Sequence, residues 1–342
     1  MAKVVTLGEI MLRLSPPGNE RFMQATSFDI NYGGGEANVA VSLANYGHNV
    51  SFVSKIPNNA IGECAIGTLR KFNVNCDHIA RGGDRLGIYF LENGASIRPS
   101  SVVYDRSNSA IAEADVSEFD FDEIFNGVDL FHVSGITPVI SKKGAKITLA
   151  ALKSAKNNNV KVSFDLNYRA KLWTEEISEK QEVLSEMMEY VDICFGNPKD
   201  AAKMLAFNDG ENDFINGDYS ICISEENMKK VIEKYKFEYL ITTNRQSISA
   251  SDNGWSSLVC NSERLYNSKK YNLHIVDRVG GGDSFAAGFL HGVLSDYTME
   301  QSLEFATAAA AIKHTMPGDL NITTVDEVLK LALGDGAGRV DR

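Results

Sequence analysis

Val276-Asp277-Arg278-Val279-Gly280-Gly281-Gly282-Asp283-Ser284-Phe285-Ala286-Ala287-Gly288-Phe289-Leu290 is the most informative stretch of this chain. Three consecutive glycines let the backbone turn sharply with its amides exposed on one side. The Ala-rich apolar run from Ser284 to Leu294 carries no proline, so a helix is predicted to start there. The unpaired amides of that helix start, with the positive end of its dipole, form an anion site. An aspartate at such a place has two readings. It is a helix cap, or it is a base beside a phosphate cradle, placed to take a proton from an attacking hydroxyl. The stretch alone leaves both open.

Outside this stretch the chemistry-bearing motifs are few. No Gly-Lys-Ser/Thr follows at P-loop spacing, and no Gly-x-Gly-x-x-Gly follows the first strand pattern. The five cysteines are scattered without Cys-x-x-Cys spacing, and the six histidines show no ligand spacing. Reduced thiols in a cytoplasm are expected. With 342 residues, 44% of them hydrophobic, the chain can bury a large core. No apolar run approaches the roughly 18 residues of a membrane helix. The net charge of −11 speaks against nucleic acid or acidic membranes as partners.

Short apolar runs end in polar or glycine residues at Lys3–Leu7, Ser51–Ser54, Leu130–Ser134, Val160–Leu166, Ile193–Phe195 and Tyr239–Thr243. Helical patterns alternate with them, for example at Ala37–Tyr46, Ile61–Phe72, Lys142–Lys156 and Asn227–Tyr235. This alternation predicts an α/β fold, a three-layer α/β/α sandwich around a mainly parallel sheet. Ligands then bind beyond the carboxyl ends of the strands. Those ends read Gly8-Glu9, Ser134-Gly135, Asp165-Leu166-Asn167, Gly196-Asn197 and Thr242-Thr243-Asn244. Residues 11–32 and 87–110 break the alternation and read as strands of a small antiparallel sheet. That sheet is either a lid over the site or an edge extension. Residues 1–333 form the expected single domain, Phe207–Glu226 a surface excursion and 334–342 a flexible tail.

A second glycine turn, Gly33-Gly34-Gly35-Glu36-Ala37-Asn38, opens an early helix pattern. Its glycines let Asn38 and backbone amides approach a polyhydroxylated ligand; a plain tight turn is the alternative.

The two glycine motifs resemble the signatures of the ribokinase-like (PfkB) carbohydrate kinases. The C-terminal signature is Asp-Thr-x-Gly-Ala-Gly-Asp-x-Phe, matched by Asp277, Gly280, Gly282, Asp283 and Phe285. The N-terminal one is Gly-Gly-x-x-x-Asn with a later glycine at Gly47. The resemblance runs from Lys3 to about Leu333. It implies a sandwich with a β-sheet lid and transfer of the γ-phosphoryl group of ATP, as its magnesium complex, to a sugar hydroxyl. Asp283 is the implied base, and Gly280, Gly281 and Gly282 the implied anion hole. Asn197 and Asp200 match the family's Asn-x-x-Glu, which helps hold magnesium and phosphates, with Asp in place of Glu. A helix cap and a first-turn acid are their alternative. The family's Thr-x-Gly-x-x-Gly segment is replaced by Ile241-Thr242-Thr243-Asn244-Arg245-Gln246-Ser247, without glycine. Thr243 and Arg245 are then phosphate contacts or parts of a solvated loop. Asn167 is assigned to the ATP side with Asn197, Thr243, Arg245, Gly280 and Gly282.

Among these kinases the pattern is most similar to 2-keto-3-deoxygluconate kinases. They share Tyr104, Arg106, Ser109-Ala110, Asp165, Asn167, Arg169, Asp277-Arg278-Val279-Gly280 and Pro317-Gly318-Asp319. The resemblance implies contact of Gly34, Tyr89, Tyr104, Arg106, Arg169 and Asp319 with a sugar acid, together with Gly35 and Asn38 from the first glycine turn. Arg169 is the candidate for its carboxylate, because a guanidinium fork matches that group; a surface ion pair is the other reading of either arginine. The expected reaction forms the 6-phosphate. A neutral-sugar kinase and a non-catalytic sensor on the same fold are the alternatives. Pairing of two copies through the lid is expected from the resemblance.

Overall fold

The computed structural model describes residues 1–210, 214–215 and 223–334. Half of the expected excursion between 207 and 226, with Cys222, and the tail after Gly334 lie outside the described residues. In chain order the strands are β1 (Lys3–Leu7), β2 (Met11–Ser15), β3 (Asp29–Gly33), β4 (Asn49–Ile56), β5 (Ile79–Arg81), β6 (Ile88–Glu92) and β7 (Ser101–Asp105). There follow β8 (Leu130–Ser134), β9 (Lys161–Asp165), β10 (Ile193–Phe195), β11 (Tyr239–Ser247), β12 (Asp252–Cys260), β13 (Leu265–Asn267) and β14 (Tyr271–His274).

The larger sheet runs β13-β12-β11-β10-β9-β8-β1-β4-β5, with β14 also on β12. From β11 to β5 every pairing is parallel. The strands from β8 to β11 are buried along most of their first residues, as a sheet covered on both faces requires. Successive strands are added on opposite sides of β1, with β4 on one edge and β8 on the other. Chain order thus reverses at β1, and a crevice opens beyond its carboxyl end.

Helices Gly35–Asn45, Gly281–Leu294 and Met299–Lys313 pack on one face of this sheet. Their small residues set the approach. A Cβ added to Gly288 would lie 2.7 Å from Ala306 Cα, so only glycine opposite alanine permits that spacing. Helices Lys142–Asn157 and Ile177–Met187 pack with Phe131, Phe164 and Leu240 on the other face. Each predicted strand and helix named above is present, with boundaries shifted by a few residues. The helix expected from Ser284 begins at Gly281, so Asp283 stands inside its first turn.

The small sheet runs β3-β2-β6-β7 and is antiparallel except at its centre, where β2 and β6 run parallel. Its register separates two faces. Asn31, Arg13, Tyr89 and Tyr104 form one row across the four strands, and Ile30, Leu14, Phe90 and Val103 form the adjacent row on the opposite face. Among the described residues no helix is long and apolar enough to cross a membrane, and the four described cysteines are free thiols.

Candidate active site

A single cleft of about 830 Å³ lies between the carboxyl ends of the large sheet and the polar row of the small one. Its walls include Gly34, Gly35, Asn38, Tyr89, Tyr104, Arg106, Asn167, Arg169, Asn197, Asp200, Thr243, Arg245, Gly280, Gly282, Asp283 and Asp319. Of the site residues read from the sequence, Gly281 alone is not part of the wall; its α-carbon faces the His314 ring instead. The small sheet therefore stands over the cleft and is no mere edge extension.

At the centre, Gly280 begins its helix in a left-handed conformation, φ +78°. A side chain there would also strike the Asp319 carbonyl oxygen. Gly282 has nothing within 4 Å of an added Cβ, so the bare turn faces open space. The Asp283 carboxylate accepts a 2.7 Å bond from Asn38 Nδ2, on the other glycine turn, rather than capping its own helix. Burial raises the Asp283 carboxyl above its ordinary range, opposed by the Asn38 bond and the nearby Arg169 charge. A partly buried carboxylate of raised basicity, open to a cleft beside free helix amides, is equipped to accept a proton.

Two further acids crowd this centre. Asp165 accepts from the Asn167 amide at 3.0 Å and from its Nδ2 at 2.9 Å. Burial, and then the Asp283 charge, push the Asp165 carboxyl up to about 7. Asn167 itself is left-handed, φ +50°, and its Oδ1 is buried without a partner. Glu36, buried beneath Gly8 and outside the cleft wall, accepts from the Ser134 hydroxyl at 2.6 Å and the Ser134 amide at 3.1 Å.

Asn197 is a true helix cap, its Oδ1 accepting from the amides of Lys199 and Asp200 at 2.9 and 3.0 Å. Its Nδ2 donates to Asp200 Oδ2 at 2.6 Å, and both residues still face the cleft. Burial pushes the Asp200 carboxyl up to about 6. No group of three or more His, Cys, Asp or Glu side chains among the described residues could hold a metal ion. One carboxylate with an amide beside it suits magnesium that arrives with phosphates, which supply most of its ligands themselves.

The segment 241–247 is not a loop. β11 continues through Ser247, paired antiparallel with β12 along its length. Thr243 and Arg245 reach the cleft from that strand. Arg278 joins them, its Nη2 donating to the Ser249 and Ala250 carbonyls.

Residues 1–324 match the model of the pfkB family carbohydrate kinases. The chain belongs to that family. It is 31% identical over its whole length, and over 99% of the relative, to a 2-dehydro-3-deoxygalactonokinase of Haloferax volcanii. The crystal structure of 2-dehydro-3-deoxygluconokinase from Thermotoga maritima superposes with a TM-score of 0.91, at 48% identity over 97% of this chain and 98% of that one. That of a putative 2-keto-3-deoxygluconate kinase from Enterococcus faecalis superposes with a TM-score of 0.90, at 28% identity over 100% and 99%.

In this carbohydrate kinase two residues that brace the wall from behind had no role legible in sequence. Glu9, just beyond β1, holds Arg106 in an ion pair. Arg13, 2% exposed, bridges Asp277 at 2.7 Å and Asp319 at 3.0 Å. Tyr89 also donates to Asp319. Asp319 is thus fully engaged by protein groups, and Arg106 is already paired. Arg169 Nη1 meets only the Tyr168 carbonyl, at 3.1 Å, with no carboxylate of the described residues in ion-pair reach. A lone arginine between Leu12 and Leu14 in an alternating run is the one sequence signal that pointed to Arg13.

Proposed function

We propose that this kinase transfers the γ-phosphoryl group of ATP to the 6-hydroxyl of 2-keto-3-deoxygluconate. The carrying observation is Arg169, an exposed guanidinium fork in the cleft of an acidic protein, with no acid of its own while Arg13 and Arg106 have theirs. Such a fork takes a carboxylate in two parallel hydrogen bonds. The substrate carboxylate docks on Arg169, and Tyr104 and the Arg106–Glu9 pair meet its keto and hydroxyl groups. Gly34, Gly35 and Asn38 hold the far end of the sugar beside Asp283.

Asp283 takes the proton of the attacking hydroxyl as the new oxygen–phosphorus bond forms and ADP departs. Amides of the Gly280–Asp283 turn hold the charge on the phosphoryl oxygens. Arg245 and Arg278 lie close enough for the Arg245 charge to depress Arg278, after burial. Two cations facing each other favour a polyphosphate between them, so ATP lies along β11 with Thr243, Asn167 and Asn197. Asp200, its carboxylate oriented by Asn197 Nδ2, would hold the magnesium that accompanies ATP and neutralises its phosphates. Ile30, Leu14, Phe90 and Val103 make an apolar row on the outer face of the small sheet, 64% and 51% exposed at Ile30 and Val103. We assign that face to pairing with a second copy, in a cytoplasm where the thiols stay reduced.

A coupled ATP-turnover assay with magnesium tests the substrate, over 2-keto-3-deoxygluconate, its galacto epimer, fructose and ribose. The acids should exceed the neutral sugars by about 10³-fold or more in kcat/KM, because a site built around a bonded group rejects analogues without it. Arg169→Ala should raise KM for the acid about 10²-fold and leave any residual turnover of fructose unchanged. Equal turnover of ribose or fructose by the wild type would sink the assignment.

A further inference from the structure

The interior behind the glycine turn holds an ammonium that no step above uses. Lys313, last residue of helix Met299–Lys313, is 0% exposed. Its Nζ donates to the Met316 carbonyl at 3.1 Å, and no carboxylate of the described residues is within ion-pair reach. A Cβ added to Gly280 would lie 3.3 Å from Lys313 Cε, so the lysine arm lies directly under the turn whose other side opens to the cleft. Asp277, Asp319 and Asp283 surround it at longer range, and Arg13 opposes them. Stripping an ammonium of water is costly unless a close partner compensates. An apolar residue of similar shape would fill this volume without that cost. Burial indeed lowers the Lys313 pKa, while the three carboxylates act to raise it.

We propose that Lys313 is a positioning residue for phosphoryl transfer: its buried charge, acting through the Gly280–Gly282 turn, keeps that turn at positive potential as negative charge gathers on the phosphoryl group. The low-dielectric interior makes a fixed charge effective over this distance. The inference rests on the assignment of the turn as the phosphoryl cradle. A purely structural role, closing the end of the helix onto Met316, is the competing account.

Lys313→Met keeps the shape and removes the charge. It should lower kcat about 30- to 100-fold, leave KM for the sugar acid within about twofold, and leave the thermal midpoint unchanged or higher. Lys313→Ala leaves a space that a small cation can enter. Ammonium chloride should restore its kcat about tenfold, whereas tetramethylammonium chloride at equal ionic strength, too large to enter, should not; Lys313→Met should respond to neither. Wild-type kcat in a folded Lys313→Met, or equal responses of Lys313→Ala to the two salts, overturns the proposal. Should Asp283→Asn be inactive while Lys313→Met is fully active, only this inference falls. A fully active Gly282→Ala refutes the cradle itself.

Discussion

The two glycine turns look alike in sequence and are used differently. In Gly33-Gly34-Gly35 the first two glycines are demanded by contact. A Cβ on Gly33 would come within 2.5 Å of Asp319 Cβ, and one on Gly34 within 1.9 Å of the Glu9 carbonyl oxygen. Gly34 has extended backbone, so no unusual torsion requires glycine there. In Gly280-Gly281-Gly282 the first residue is demanded by torsion and contact, the second by the His314 ring, and the third by nothing in the protein. Only Gly35 and Gly282 face free space, Gly35 with Asp283 Oδ1 and Asn167 Nδ2 at the edge of its reach. A glycine that the fold does not need points to something that is not the fold. The two turns meet at the Asn38–Asp283 bond, which joins the proposed base to the proposed sugar side.

The most damaging way to break the pair is at that bond. Asp283→Asn keeps shape and burial but removes the proton acceptor. We expect kcat to fall about 10²–10⁴-fold, with the sugar acid still binding within a few-fold by calorimetry. Unchanged turnover would return Asp283 to an ornament of its helix.

The glycines themselves sharpen the contrast at the next level. Gly34→Ala puts a methyl into a backbone oxygen, and we expect a loss of about 3 kcal/mol or more. Gly282→Ala should leave the thermal midpoint within about 2 °C yet lower kcat about tenfold or more, since its methyl occupies phosphoryl space. Thermal unfolding and steady-state kinetics on both variants decide it. The comparison fails if Gly34→Ala is as stable as wild type or if Gly282→Ala is as active.

How much of this was open to reading follows from the range of each interaction. Alternation of short apolar runs with helical ones is local, and it placed β1, β4 and β8–β11 and hence the crevice. The glycine turns are local too. What sequence did not disclose depends on partners far along the chain. Arg13 meets Asp277 and Asp319, which lie 264 and 306 positions away. The Arg106–Glu9 pair spans 97 positions. Asp277 and Asp319 were read as motif members, one matching a signature and the other a sugar contact. Only the folded chain reveals that one buried guanidinium ties them together beneath the small sheet. β12 was missed because Ser256, Ser257 and Asn253 interrupt its apolar pattern, although two of the three are buried. Its pairing with β11 carries the strand expected at Tyr239–Thr243 on through Ser247, where a solvated loop was the alternative.

The finest test concerns Asp165, the acid that shares the centre with Asp283. Its folded-state carboxyl stands at about 7 against an ordinary 3.8, through burial first and the Asp283 charge second. Between those values the folded chain binds more protons than the unfolded one, so this residue's contribution is whole below about pH 4 and is lost as pH rises toward 7. Asp165→Asn removes that dependence. It also forfeits one of the two Asn167 hydrogen bonds, since only one side-chain acceptor remains, at a cost of about 1 kcal/mol. The variant should therefore be slightly less stable than wild type near pH 4 and more stable, by about 3 kcal/mol, near pH 8. Urea unfolding at the two pH values reads the crossing. A difference of the same sign and size at both would mean that Asp165 is ionised throughout, and that the second acid beside the proposed phosphoryl cradle carries a full charge.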